Sequence, residues 1–282
     1  MYMLTLKTLD RRVRVDCAEA ETRSLLTAAY GHMEGDAGSA DLHYTVGRDS
    51  ARFFIKREGQ DLLAAADDGM FLALFDADIA IELQKLRRDL YFVHAAVLTV
   101  DDSAFMLVAQ SGGGKSTVCW ALSHHGFRYL SDELGPVDLK TLRIHPFTRA
   151  LMLKTNPPAN YPLPATTVHT SRGRHVAAAD MPGGVCESLA RLTAVFFLRY
   201  DAEAREPSIR GISAAEAAVR LYADTLNALA HTGEGLDAAI RITTATACFA
   251  LVSANLTATC ALLADTFKNL PREERRDWAR GN

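Results

Sequence analysis

The chain lacks the features that define several large protein classes. Among its 282 residues are five cysteines, at 17, 119, 186, 248 and 260, and no two are spaced as Cys-x-x-Cys. An odd number so scattered excludes a zinc ribbon and a paired disulfide framework. Reduced thiols then point to the cytoplasm. Neither sign of charge dominates: 31 Lys and Arg against 34 Asp and Glu leave a formal net charge of −3. No global basic field exists to attract nucleic acid or an anionic membrane. Long apolar runs are also missing. The longest, TATACFALVSANLTATCALL, is interrupted by Asn255, serine and threonines. It reads as a strand followed by a helix rather than a membrane span. The N-terminal MYMLTLKTLDRRVRV alternates with charges and has no apolar centre of a secretory signal. No repeat of solenoid length is present.

What is there is globular: 49% apolar and 23% charged residues. The first 90 residues read as a small α+β domain. Alternation in MLTLKTLDRRVRVDC, DLHYTVGRD and ARFFIKREG predicts strands. AEAETRSLLTAAYGHM and GMFLALFDADIAIELQKLRRD predict helices, the second with basic residues suited to a helix C-terminus. Residues 91–270 read as a second, catalytic domain, and 271–282, PREERRDWARGN, as a flexible tail. Within the second domain YFVHAAVLTV and AFMLVAQ form a strand pair across DDS. A helix follows over GKSTVCWALSHHG, then a strand over FRYLSDE. SAAEAAVRLYADTLNALAHT and EGLDAAIRIT read as later helices. Residues 155–188 hold five of the nine prolines and no sustained periodicity, the mark of a long functional or mobile loop.

The chemistry concentrates in AQSGGGKST. Positions 109–116 read Ala-x-x-x-x-Gly-Lys-Ser, a P-loop pattern in which Ala109 replaces the usual first glycine. Backbone N–H groups around Ser111, Gly112, Gly113 and Gly114 would wrap a β-phosphate, and the helix N-terminus adds positive charge. Lys115 would reach the β- and γ-phosphates, Ser116 would ligate Mg²⁺ and Thr117 would donate to the α-phosphate. Ala109 needs only a negative φ and removes no ligand. Asp132 and Glu133 end the next strand. In a parallel arrangement that strand end lies on the same sheet edge as the loop. Two adjacent carboxylates there suit phosphoryl transfer, Asp132 as base and Glu133 on the Mg²⁺ side.

The order FVHAAVL, AQSGGGKST, GFRYLSDE, HPFTRALMLK resembles the catalytic domain of bacterial HPr kinase/phosphorylases. It is closer to the HPr-kinase-like proteins of biosynthetic clusters, which include kinases that tailor lasso-peptide precursors. The resemblance implies an α/β fold: a P-loop kinase domain of the HPr kinase and phosphoenolpyruvate carboxykinase type, here with a small N-terminal α+β domain. It places His94 beside the phosphates with Asp132 and Lys115, and Arg149 and Lys154 near the nucleotide or acceptor. It is specific over residues 92–154. HPr kinases proper carry Asp-Asp where this chain has Asp132-Glu133.

The function expected is therefore a Mg²⁺-ATP-dependent kinase acting on a hydroxyl, a serine of a peptide or small protein, such as a natural-product precursor. A small-molecule kinase on the same scaffold and a nucleotide-binding regulatory module are the alternatives. A homo-oligomer stays open.

Overall fold

The computed structural model describes residues 1–49 and 52–270. The tail expected over 271–282 lies outside the described residues.

The chain begins with β1 (Tyr2–Thr8) and β2 (Arg11–Cys17), paired in an antiparallel hairpin. Leu9 and Asp10 turn it with φ of 50° and 56°, the left-handed pair that matches the twist of a two-residue hairpin. Then come α1 (Ala20–Tyr30), β3 (Leu42–Asp49), β4 (Arg52–Arg57), β5 (Gln60–Ala65) and α2 (Asp68–Leu86). The middle of the chain holds β6 (Leu90–Val93), β7 (Ala95–Val100), β8 (Ser103–Val108), α3 (Lys115–Ser123), β9 (Arg128–Ser131), β10 (Gly135–Asp138) and β11 (Arg143–Ile144). Three short strands follow, β12 (Leu151–Leu153), β13 (Val168–Thr170) and β14 (Gly173–Val176). The chain ends with β15 (Ala190–Tyr200), β16 (Ser208–Gly211), α4 (Ala214–Ala223), α5 (Leu236–Thr244), β17 (Ala247–Ser253) and α6 (Leu256–Lys268).

The chain divides into two compact units: Met1–Arg87 with Phe147–Met181, and Arg88–Pro146 with Pro182–Asn282. The segment 147–181, expected inside a continuous catalytic domain, clusters with the N-terminal residues. The expected loop over 155–188 also contains structure. β13 and β14 form a hairpin, and β14 pairs with β12.

In the first unit, five strands run β1-β2-β3-β4-β5, with the β2–β3 pair parallel across α1. Helix α2 is capped by the Asp67 carboxylate, which accepts from Met70 N–H. It buries Phe71, Phe75, Ile79 and Leu83. Phe75 meets the rings of Tyr30 and Tyr44 edge-on at 5.6 and 5.1 Å. Both phenols end on α2 carboxylates: Tyr30 on Asp76 and Tyr44 on Asp78, the latter at 2.6 Å. These bonds satisfy hydroxyls that burial would otherwise strand.

In the second unit the sheet order is β6-β10-β11-β15-β8-β7-β9, with β17 beside β15 and β16 beside β17. Strands β6 and β8 are buried at every residue, as expected when helices cover both faces of a sheet. One face carries Val97, Met106, Val108, Val195 and Phe197 against Ala217, Leu221, Ala239 and Ile242 of α4 and α5. The other gathers Phe105, Phe127, Phe196 and, from α6, Phe267, with ring centroids 5.0–6.2 Å apart. β8 and β9 both run antiparallel to β7, which lies between them. They therefore run parallel, and the loop after β8 and the carboxylates after β9 leave the sheet at the same edge.

YFVHAAVLTV is not one strand. It breaks at His94, because β6 pairs with β10 while β7 pairs with β8 and β9. The returning chain breaks opposite. Val93 pairs with Gly135 and Val97 with Ser131. Residues 94–96 thus face residues 132–134 across an interruption in the ladder. Three of the predicted functional residues, His94, Asp132 and Glu133, lie in that interruption.

Candidate active site

The loop after β8 begins at Ala109, which is buried and is not among the residues with positive φ. Gly112 and Gly114 adopt φ of 87° and 89°, the conformation that favours glycine. Gly113 is required for a different reason. A Cβ there would lie 2.9 Å from the Ala109 Cβ and 3.0 Å from the Gln110 carbonyl oxygen. The methyl group at 109 therefore fills the space a side chain at 113 would use. Gly113 N–H donates to the Gln110 carbonyl at 2.9 Å and closes the turn. α3 starts directly at Lys115, with Gly114 as its N-cap and no capping side chain. Its first N–H groups thus have no side-chain cap, as a helix that receives an anion requires.

Lys115 is buried, and its ammonium lies 3.1 Å from His94 Nε2 and 3.8 Å from a Glu133 oxygen. His94 Nε2 is also 2.7 Å from the other Glu133 oxygen. One nitrogen cannot accept from Lys115 and donate to Glu133 at the same moment. The two contacts compete for that nitrogen, and whatever draws Lys115 away leaves His94 to Glu133. Glu133 holds φ of 76°, a left-handed backbone that costs free energy in a non-glycine residue. That kink is where the ladder stops between β9 and β10. The sequence paired Ser116 with Glu133, but the hydrogen bond runs elsewhere: Ser116 Oγ donates to Asp132 Oδ2 at 2.8 Å. Asp132 is fully buried. Below it on α3, burial pushes the Cys119 thiol well up, and the Asp132 charge pushes it further. That thiol is a packing group.

His94, Lys115, Ser116, Asp132 and Glu133 are thus brought together; Ser111, Gly112, Gly113 and Gly114 lie in the loop that leads into α3, and Thr117 in the first turn of that helix. Arg149 and Lys154 belong to the other compact unit. Arg149 is buried and pairs with Asp76 of α2 at 2.9 Å. Lys154 is exposed, and its carbonyl accepts from Arg174 at 3.1 Å.

Neither protein-family profiles nor curated proteins match this sequence. Among solved structures, it is similar to the HPr(Ser) kinase/phosphatase from Coxiella burnetii. That similarity covers 65% of this chain and 95% of that one, at 11% identity and a TM-score of 0.30. A likeness of this size carries no argument, and what stands here is a mixed α/β chain with the site described above.

One residue at the site was absent from the sequence reading. Asp224 follows α4, and its carbonyl accepts from His94 N–H at 2.8 Å. Its carboxyl is raised by burial and pulled partly back by the neighbouring His94 and Lys115. Reading 213–232 as one helix hid it. The signal was Asp224, Thr225 and Asn227 within four residues, residues whose short polar side chains compete for the backbone and end helices.

No helix among the described residues is long and apolar enough to cross a membrane. The five cysteines are buried and none is in a disulfide. No cluster of three or more His, Cys, Asp or Glu among the described residues is arranged to hold a metal by itself.

Proposed function

We propose that this protein is a Mg²⁺-ATP-dependent kinase that transfers the γ-phosphoryl group to a hydroxyl, a serine of a peptide or small protein. One observation carries the reading: Lys115 and Ser116 at an uncapped helix N-terminus, with Asp132 on the serine and His94-Glu133 on the lysine. Loop amides and the helix end would receive the β-phosphate. Lys115 would leave His94 for the β- and γ-phosphates. Ser116 and Asp132 place a hydroxyl and a carboxylate side by side, a hard-oxygen pair that fits Mg²⁺ completed by phosphate oxygens and water. When bound, the metal supplies charge neutralisation on the phosphates.

Glu133 and His94, freed of Lys115, then face the acceptor. The acceptor oxygen forms a bond to the γ-phosphorus as the bond to the bridging oxygen of ADP breaks. The hydroxyl proton goes to the Glu133 carboxylate, which His94 orients. This gives Asp132 to the metal side and Glu133 to the proton, the reverse of the roles expected from spacing. A peptide or small-protein acceptor rests on the resemblance of the motifs in residues 92–154.

Two variants test the division. Glu133→Gln should lower turnover roughly 10²–10⁴-fold, the usual worth of a positioned base, with the Mg²⁺ dependence unchanged. Asp132→Asn should raise the Mg²⁺ concentration needed for half-maximal turnover. If Asp132→Asn abolishes turnover at every Mg²⁺ concentration while Glu133→Gln stays active, the roles are reversed. If both variants turn over ATP like the parent protein, the site is not catalytic.

A further inference from the structure

β6 closes one end of its sheet, and all four of its residues are buried. Its outward N–H and carbonyl groups therefore need partners that no strand supplies. Residues 224–231, between α4 and α5, supply them as a strap. Leu226 N–H donates to the Phe92 carbonyl at 2.9 Å, and Thr225 forms an antiparallel bridge with Val93. The Thr225 hydroxyl also lies 2.5 Å from that of Tyr91. Beyond Leu226 a side chain continues the ladder in place of the main chain. The Asn227 carboxamide accepts from Phe92 N–H at 2.9 Å and donates to the Leu90 carbonyl at 2.8 Å. Those two partners fix which end of the amide faces which way. Its nitrogen lies 3.2 Å from His231 Nε2 as well, an acceptor for the second amide hydrogen.

The other end of the strap reaches the site. Pairing of β6 with β10 stops at Val93, and β7 starts at Ala95. His94 lies between the two strands, and its N–H donates to the Asp224 carbonyl at 2.8 Å. The strap thus spans the gap in the ladder. We propose that Asn227 is a positioning residue of the phosphoryl-transfer site: its carboxamide locks the strap onto β6, and the locked strap holds His94 between Lys115 and Glu133. The inference rests on the reading of that cluster as a phosphoryl-transfer site. Alanine at 227 would leave Phe92 N–H and the Leu90 carbonyl buried without these partners, and aspartate would accept but not donate. His94 Nε2 sits 3.1 Å from the Lys115 ammonium and 2.7 Å from Glu133. A shift of about 1 Å takes either contact out of hydrogen-bond range. The amides that would receive the phosphates lie on the loop before α3, away from the strap in sequence and on another element. Loss of the lock therefore slows transfer and spares nucleotide binding.

The test compares the parent protein with Asn227→Ala and Asn227→Asp. ADP release gives kcat and the KM for MgATP, at a temperature where melting curves show each protein folded. NMR of the imidazole signals reports where His94 sits. Asn227→Ala should lower kcat by roughly 10–10²-fold, up to the scale of a 1 Å misplacement, with KM within about two-fold of the parent. Its His94 signals should move. Asn227→Asp keeps the length and the acceptor, so its kcat should fall between the other two. A side chain that only stabilises the fold would lower the melting temperature and leave kcat and the His94 signals at parent values, and that result overturns the proposal. A rise in KM that matches the fall in kcat overturns it too, because the whole nucleotide site has then moved. If Asn227→Ala does not fold, Asn227→Asp decides: a parent-like kcat counts against the proposal. A parent protein that releases no ADP sinks the kinase reading itself, and the proposal with it.

Discussion

Gly113 and Ala109 compete for one space. With a methyl group at 109, any Cβ at 113 sits 2.9 Å from it, closer than packed carbon atoms approach. Ala109, in place of the pattern's first glycine, thus leaves room for glycine alone at 113. Gly113→Ala should weaken MgATP binding by roughly ten-fold and destabilise the fold by about 1–3 kcal/mol, the range for overpacking a filled space. Adding Ala109→Gly should recover part of both, because it removes the methyl clash and leaves the one with the Gln110 carbonyl. Titration calorimetry and melting of the two single variants and the double variant give the cycle. Equal, additive losses would show that the two positions do not share space. The cluster itself was partly legible in the sequence. Lys115, Ser116, Asp132 and Glu133 announce themselves by type and spacing. Which carboxylate serves which partner depends on the left-handed turn at Glu133, and a residue forced into that backbone carries no sequence signature here.

At the scale of elements, the hairpins were readable because their turns are short and their strands alternate. The break at His94 was not. An apolar run looks the same whether it feeds one ladder or two, and only partner exchange separates β6 from β7. Residues 224–227, which follow α4, were not legible for a related reason, since they bond to β6 and His94 instead of continuing the helix. β13 and β14 escaped because each is three or four residues long and flanked by prolines. That hairpin nonetheless carries a titratable group into the first unit. His175 on β14 is buried, with its Nε2 3.1 Å from the Thr170 hydroxyl. Burial lowers its pKa from the ordinary 6.5, while Asp76 opposes and Arg149 assists the shift. The unfolded chain therefore takes up this proton first. His175 contributes its full share of stability above pH 6.5, and the share shrinks as pH falls below it. Melting temperature followed from pH 7.5 to 5.5 should fall less for His175→Asn than for the parent, after allowing for the lower starting stability of the variant. Parallel curves would assign the acid sensitivity to other groups.

Across the whole molecule, Arg149 and Lys154 fall in a different compact unit from the P-loop sequence. Their segment, 147–181, packs with the N-terminal residues, and Arg149 already has a carboxylate partner in Asp76. The second unit alone contains the lysine, serine, histidine and both carboxylates that the proposed chemistry needs, together with Asp224. The account as a whole stands on one claim, that this cluster moves a phosphoryl group. Incubating the protein with MgATP and candidate serine-containing peptides, and following ADP and phosphoserine by mass spectrometry, tests it most directly. The account predicts Mg²⁺-dependent ADP formation that falls at least roughly 10²-fold in Lys115→Ala, the scale of removing one preorganised group that stabilises developing charge. ADP formation that is equal in Lys115→Ala, or ATP that binds and is never consumed, would contradict it.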